Sequence, residues 1–528
     1  MAQVSVFFCS YLNIYYYKFL CSLLSLVLLS SVRTSHGFGT FGFDIHHRYS
    51  DPVKGILAVD ELPAKGSFQY FSAVANRDRV IHGRRLATAD GSAPLTFSYG
   101  NETYRIDSLG YLHYANISIG TPSSWFLVAL DTGSDLLWLP CDCSSCAHGF
   151  ETAFGKQLEL NIYSPNMSST SQNILCNSNL CSLQYRCTSA QSNCPYQIAY
   201  LSNGTSSNGV LVEDVLHLVT DDTQAKAVDA KVSFGCGQVQ TGSFLDGAAP
   251  NGLFGLGMSN ISVPSTLARD GYISNSFSMC FGADGLGRIT FGDKGSSDQG
   301  ETPFILHQSH RTYNISATQI IVGGNAADLD FYAIFDSGTS FTYLNDPAYT
   351  LITESFNSLV KETPASVSDI PFEYCYNISP NQNDLLIPQV NLVMKGGDQF
   401  NATNPIVIVG SQGGASVYCL GVVKSGDVNI IGQNFMTGYR VVFDRERNVL
   451  GWKPSNCYDD VVNSNTMPIG PPVSSVPPAT AVNPQATAGI GNNPHVSGMR
   501  TPAGHHIHQL SLLTRMFITI LVPFFAIV

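Results

Sequence analysis

Residues 129–139 read Ala-Leu-Asp-Thr-Gly-Ser-Asp-Leu-Leu-Trp-Leu, and residues 334–344 read Ile-Phe-Asp-Ser-Gly-Thr-Ser-Phe-Thr-Tyr-Leu. Both set two apolar residues before Asp-[Thr/Ser]-Gly-[Ser/Thr] and end on an aromatic–Leu pair at the same offset. One such tripeptide is an ordinary turn, because Asp and Gly favour turns. Two in matching apolar frames are an internal repeat. A second element repeats with it: Leu253-Phe254-Gly255 lies downstream of the first copy and Ile430-Ile431-Gly432 downstream of the second. The unit is a strand, an Asp loop, further strands, and a crossing strand that ends in Gly. Two units predict an all-β chain of two pseudo-symmetric lobes, with Asp131 and Asp336 meeting at the axis between them.

That meeting explains the residue types. Two adjacent carboxylates cannot both ionise cheaply, so they share a proton and titrate as a pair. The ionised member is a general base for a water held between them; the protonated member is a general acid. Gly133 and Gly338 let each backbone turn tightly and present N–H groups near the carboxylates. Thr132 and Ser337 place hydroxyls where they reach across the axis. Ser134 and Thr339 each hydrogen-bond the neighbouring carboxyl. The expected chemistry is general acid–base attack of that water on a scissile carbonyl, with no cofactor and no metal.

The rest of the chain agrees with a β-rich secreted protein. Of 528 residues, 44% are hydrophobic and only 12% charged, about half the usual ~25%. The net charge is −12 and no Lys/Arg block resembles a nucleic-acid footprint. From Tyr111 to Cys457, short runs of Val, Ile, Leu, Phe and Tyr alternate with Gly, Asn, Ser and Pro. The helical candidates are Ser265–Arg269 and Pro347–Glu362. Residues 106–300 and 301–460 are the expected lobes.

The ends read differently. Residues 1–36 hold Lys18 and then an apolar run, Phe19–Val32, followed by small and polar residues. That is a signal peptide; a signal anchor is the competing reading, against the run's shortness. Residues 37–105 show no strand rhythm and carry the basic stretch Arg77 to Arg85. They are either a prosegment that covers an acidic cleft or a plain linker. Residues 461–504 are a Pro-, Ala- and Gly-rich spacer. Residues 505–528 end in an apolar tail, which with the small residues before it resembles a GPI-anchor signal, attachment falling at Ser497 or nearby. A tail-anchored span is the alternative, although only thirteen residues, Met516–Val528, lie beyond the last charge. His505-His506-Ile-His508 is read as polar spacer rather than a metal site. The chain is expected to be a monomer at the extracellular face of the plasma membrane or in the cell wall.

Twelve cysteines follow the signal: Cys141, Cys143, Cys146, Cys176, Cys181, Cys187, Cys194, Cys236, Cys280, Cys375, Cys419 and Cys457. An even number in a secreted chain implies a disulfide framework. A zinc reading of Cys141-Asp-Cys143-Ser-Ser-Cys146 lacks a second Cys-x-x-Cys pair. N-glycosylation sequons stand at Asn101, Asn116, Asn166, Asn203, Asn260, Asn314, Asn377 and Asn401.

Residues from about 105 to 457 resemble the pepsin-like aspartic proteases, and among them the plant twelve-cysteine, nepenthesin-like type. The resemblance rests on Asp131-Thr-Gly-Ser-Asp-Leu-Leu-Trp138, Ala333-Ile-Phe-Asp336-Ser-Gly-Thr-Ser-Phe, Gly120-Thr121-Pro122 and Gly252-Leu-Phe-Gly-Leu-Gly257. Asn429-Ile-Ile-Gly-Gln-Asn-Phe-Met436, Val442-Phe-Asp444 and Gly451-Trp452 complete it. It implies a two-lobed β fold with a long cleft that binds an extended polypeptide substrate, aspartic endopeptidase activity favoured by acid, and a flap with Tyr200 as its tyrosine and Trp138 as that tyrosine's partner. The flap departs from the family pattern at Leu201 and at the sequon Asn203. The resemblance also implies the pairings 141–143, 146–236, 176–194, 181–187, 280–457 and 375–419, with 141–146 as an alternative for the first. A non-catalytic binding or inhibitor protein on the same scaffold is the other function class; intact Asp motifs stand against it.

Overall fold

A computed structural model of the chain describes residues 94–457 except 106–111, 152–156, 201–203, 221–224, 246–247, 307–310, 368–369, 380–383 and 411–415, together with 467–468. The signal peptide, residues 37–93, Asn203, and everything from 469 onward, Ser497 included, lie outside the described residues.

The fold is all-β, and the sequence repeat builds its lobes. In the first lobe Ser124–Asp131 runs antiparallel to His113–Ile119 and parallel to Leu253–Gly255, with Gly255 opposite Asp131. In the second, Asn325–Phe335 runs antiparallel to Asn314–Val322 and parallel to Ile430–Ile431, with Ile431 opposite Phe335. The strand leaving each Asp loop also touches the crossing strand at one position. Trp138 pairs with Leu253, and Tyr343 with Ile430. Glycine ends each crossing strand for a steric reason. A Cβ on Gly255 would stand 2.4 Å from the Asp135 carbonyl carbon, and one on Gly432 would stand 2.2 Å from the Phe341 carbonyl oxygen.

The largest sheet has fifteen strands among the described residues and joins the lobes. Ser276–Phe281 pairs with Leu286–Phe291 on one side and with Tyr439–Asp444, late in the chain, on the other. A seven-stranded sheet forms the body of the second lobe. One apolar cluster runs through both lobes; within it Phe277 stacks on Phe443 at 4.7 Å between ring centroids. Tyr313 donates its hydroxyl to the Leu256 carbonyl at 2.6 Å, tying the second lobe to the first lobe's crossing strand. The two helical candidates are Val263–Arg269 and Ala348–Leu359.

The boundary at 105/106 needs correction. Leu95–Phe97 and Glu102–Arg105 are strands of the joining sheet. Leu95 lies opposite both Thr220 and Phe291, and Leu95 and Phe97 are fully buried. The folded body therefore includes residues 94–105. Strands of three and four residues are too short to display alternation, and their partners are remote in sequence.

The cysteine pairing needs a larger correction. The bridges are Cys141–Cys236, Cys143–Cys146, Cys176–Cys187, Cys181–Cys194, Cys280–Cys457 and Cys375–Cys419. Only the last two are those the resemblance implied. Cys141 lies on Trp138–Ser145, beside the parallel strand Ala227–Thr241, and its Cα is 4.9 Å from that of Cys236. Asp142, at φ +40°, breaks the extended run between them, so Cys141 faces Cys236 while Cys143 turns to Cys146. In the 176–194 segment the bridges interleave rather than nest. Turns closed by Cys181 N–H to Ser178 O and by Cys187 N–H to Gln184 O fold Cys187 back to Cys176.

Candidate active site

Each Asp sits where a strand meets its loop, and the loop's own atoms hold it. Gly133 N–H donates to Asp131 Oδ1 at 2.9 Å, and Gly338 N–H donates to Asp336 Oδ1 at 2.8 Å. On the other oxygen, Ser134 Oγ donates to Asp131 Oδ2, and Thr339 Oγ1 donates to Asp336 Oδ2 at 2.6 Å. The hydroxyls one residue after each Asp cross between lobes. Thr132 Oγ1 donates to the Phe335 carbonyl at 3.0 Å and accepts from Ser337 N–H at 2.9 Å. Ser337 Oγ donates to the Leu130 carbonyl at 2.8 Å and accepts from Thr132 N–H at 3.1 Å. All of these polar side chains are buried. Four reciprocal bonds therefore fix one loop against the other in a low-dielectric setting, where an unmade bond costs most.

The two carboxyls are within hydrogen-bonding reach of each other. A Cβ on Gly133 would lie 2.7 Å from Asp336 Cγ, so glycine is what allows the first loop to approach the second carboxyl. Burial raises the pKa of Asp131 well above the usual carboxylate range, and the neighbouring Asp336 raises it further. Burial also raises Asp336, opposed by bonds from Thr339, Asp131 and Gly338. The pair keeps one proton over a wide acidic range.

Over Asp131 lies a hairpin formed by Pro195–Ala199 and Ser206–Thr220, with Ala199 opposite Ser206. Tyr200 follows the first strand, and its N–H donates to the Thr205 carbonyl at 2.9 Å. Trp138 Nε1 donates to the Tyr200 hydroxyl at 2.9 Å. Ser134 Oγ bonds the Asp131 carboxyl, and the Asp131 charge acts on the Tyr200 phenol. Two bonds, Trp138 to Tyr200 and Ser134 to Asp131, thus meet beneath the hairpin. Burial, and then the Asp131 charge, push the Tyr200 phenol well above its ordinary pKa, so it is a neutral donor at every working pH.

Two side chains join the site without having been singled out in the sequence. Phe244 packs edge-on against Trp138 at 4.8 Å and against Tyr200 at 5.0 Å. It belongs to no motif, so nothing local marks it. Gln433 is buried, and its Nε2 donates to the Ser337 carbonyl at 2.8 Å. Its place directly after the Gly432 that ends the crossing strand was the available signal. Among the sequons, Asn166, Asn260, Asn377 and Asn401 are exposed, whereas Asn116 is half-buried. Asn101 and Asn314 are buried at 4% and 3% exposure, a placement that leaves a glycan no room in the folded chain.

Known proteins bear on this arrangement. Residues 113–293 match the family model described as Xylanase inhibitor N-terminal, and residues 312–454 match Xylanase inhibitor C-terminal. The chain is 58% identical over 486 residues to an Arabidopsis thaliana protein named Aspartyl protease family protein 1, covering 90% of this chain and 94% of that one. It is 37% identical to Aspartic proteinase-like protein 1 of the same plant, covering 91% and 94%. Among solved structures, Basic 7S globulin from soybean shares the fold with a TM-score of 0.53 at 24% identity, covering 68% of this chain and 98% of that one. The chain belongs to the pepsin-like aspartic protease family.

Proposed function

We propose that this chain is an aspartic endopeptidase in which Asp131 and Asp336 activate a water against the peptide bond. The observation that carries the reading is the pair of buried carboxyls, each held by its own loop and both raised by burial. The ionised carboxylate takes a proton from the water as it attacks the scissile carbonyl. The protonated carboxyl donates to that carbonyl oxygen as charge develops on it. Proton transfer back through the pair protonates the leaving amine. Tyr200, held by Trp138, stands ready to close over an extended peptide backbone. Asp131→Asn and Asp336→Asn should each abolish cleavage of an unfolded protein at acid pH; wild-type rates in both would refute the assignment.

The family-model descriptions favour one competing reading, a non-catalytic binding protein on this scaffold. Retention on immobilised pepstatin separates the two. An open catalytic cleft retains the protein, and a closed or inert one lets it pass.

We place the protein in the secretory pathway, as a monomer held by a GPI anchor at the outer face of the plasma membrane. The apolar 19–32 run, the six disulfides, the exposed sequons and the apolar 510–528 tail support this. No helix among the described residues is long and apolar enough to cross a membrane. A phosphatidylinositol-specific phospholipase should release the protein from membranes, and failure to do so argues for a span. N-terminal sequencing tests the prosegment: a mature start between about 86 and 94 fits removal of the basic stretch, since Leu95 already belongs to the body.

A further inference from the structure

We propose that Cys143–Cys146 is a thiol–disulfide exchange site, open to low-molecular-weight thiols, whose state sets the firmness of the flap's base. The proposal rests on the endopeptidase reading for its activity readout, but its chemical readout stands alone.

Four observations single out this bridge. Its cysteines are three apart in sequence, against separations of 11, 13, 44, 95 and 177 for the others. A short loop removes the least entropy from the reduced chain, so this bridge is held least by the fold. Both of its cysteines are half-buried, whereas every other bridge has at least one buried partner. His148, which is exposed, places Nε2 3.9 Å from Cys146 Sγ. The two sulfurs and this nitrogen all lie within 4.8 Å of one another. An imidazole N–H beside a sulfur hydrogen-bonds and so stabilises the departing thiolate. The spacing Cys143-Ser-Ser-Cys146 also lets either sulfur resolve a mixed disulfide with an external thiol.

The exchange is balanced. An external thiolate attacks Cys143 Sγ; the Cys143–Cys146 bond breaks and Cys146 leaves as a thiolate beside His148. A second external thiol attacks the mixed disulfide and frees Cys143. Two external thiols are oxidised to one disulfide, and their two protons end on Cys143 and Cys146.

The bridge closes a turn that grips the strand under the flap. Ser144 Oγ donates to the Gln238 carbonyl at 3.3 Å, and Ser145 Oγ donates to the Gln240 carbonyl at 3.2 Å. The next residues hold the hairpin. Thr241 Oγ1 donates to the Gly204 carbonyl at 2.6 Å, Ser243 N–H donates to Thr205 Oγ1 at 3.1 Å, and Phe244 meets Tyr200. Opening the bridge frees Ser144 and Ser145 from Gln238 and Gln240, and slack there passes directly to the hinge of the flap. Cys143 and Cys146 touch neither carboxyl, so the effect falls on substrate binding.

The test treats the folded, full-length protein with a limiting dithiol, traps thiols by alkylation and maps the modified peptides. Cys143 and Cys146 should be alkylated before any of the other ten. First reduction at another bridge, or reduction of all bridges together, overturns the site. Activity is then measured on a peptide substrate. Reduced wild type and the Cys143→Ser/Cys146→Ser variant should both show KM raised about fivefold with kcat changed less than about twofold. The same reductant should leave the double variant unchanged. Selective reduction with unaltered KM keeps the exchange site but refutes its link to the flap. If the protein proves inactive in every state, pepstatin binding by calorimetry replaces KM; inactivity alone would count against the protease reading, not against the alkylation result.

Discussion

In the first lobe, the strand that leaves the Asp loop begins with Trp138, whose indole N–H holds Tyr200 of the flap. In the second, the residue at the same offset is Tyr343, on Thr342–Leu344, which has no indole N–H to offer a tyrosine. The backbones match: Trp138 pairs with Leu253, and Tyr343 with Ile430. The loops match as well, down to the glycine N–H and the hydroxyl that each carboxyl receives. The difference shows that symmetry is kept where two carboxyls must be equivalent. On the proposed reading, it is dropped where the hairpin covers the substrate from one side. Disulfides follow the same division. Four bridges lie within the first lobe, around and below the flap, and one lies within the second.

Substitutions can break this comparison. Among substitutions that leave both carboxyls in place, the largest effect should come from Gly133→Ala, which sets a methyl 2.7 Å from the Asp336 carboxyl. Displacing that group by a fraction of an ångström should lower kcat about 100-fold or more in steady-state assays. Thr132→Val and Ser337→Ala each remove one hydroxyl that makes two cross-lobe bonds. Each should cost roughly 2–3 kcal/mol in denaturant unfolding, and the two costs should agree within about 1 kcal/mol. Unequal costs would show that the axis is symmetric in backbone only. Trp138→Phe, which frees the Tyr200 hydroxyl, should raise KM about fivefold to tenfold. Tyr343→Phe at the matching position should change KM less than about twofold.

The pH dependence of stability sharpens the contrast between the site and its support. The dyad carboxyls have raised folded values, so their contribution is full below the unfolded pKa and is lost as pH rises through the folded one. Asp336→Asn should therefore lose less stability than wild type between acid and neutral pH. His113 acts in the opposite direction. It is fully buried, pairs through Nδ1 with Thr103 Oγ1 at 2.8 Å and packs edge-on against Phe281. Burial, and then nearby Arg105, depress it from 6.5 to about 3. Its contribution is full above 6.5 and falls as pH drops, by about 3 kcal/mol at pH 4. His113→Asn should flatten the acid limb of a stability–pH curve, whatever it costs at neutral pH.

The parts legible in the sequence were those written locally. The Asp loops, the crossing strands Leu253–Gly255 and Ile430–Ile431, and both helices carry their own residue signals. The partnership of Trp138 with Tyr200 came through the family resemblance rather than from spacing. What escaped was non-local. Leu95–Phe97 is a strand because Thr220 and Phe291 lie beside it, not because three residues alternate. Cys141 finds Cys236 because two parallel strands lie side by side, and no count of cysteines contains that register. Phe244 becomes a wall of the site only when the segment after Ala227–Thr241 turns back under the hairpin.

On the proposed mechanism Asp131 and Asp336 act as one proton-sharing unit. The most direct measurement is kcat/KM at acid pH for Asp131→Asn, Asp336→Asn and the double variant, on one peptide substrate. A shared unit fails when either half is removed, so both single variants should lose at least about 10⁴-fold and the double variant should lose no more. Losses that multiply in the double variant would mean that the two carboxyls work independently, which would contradict the account.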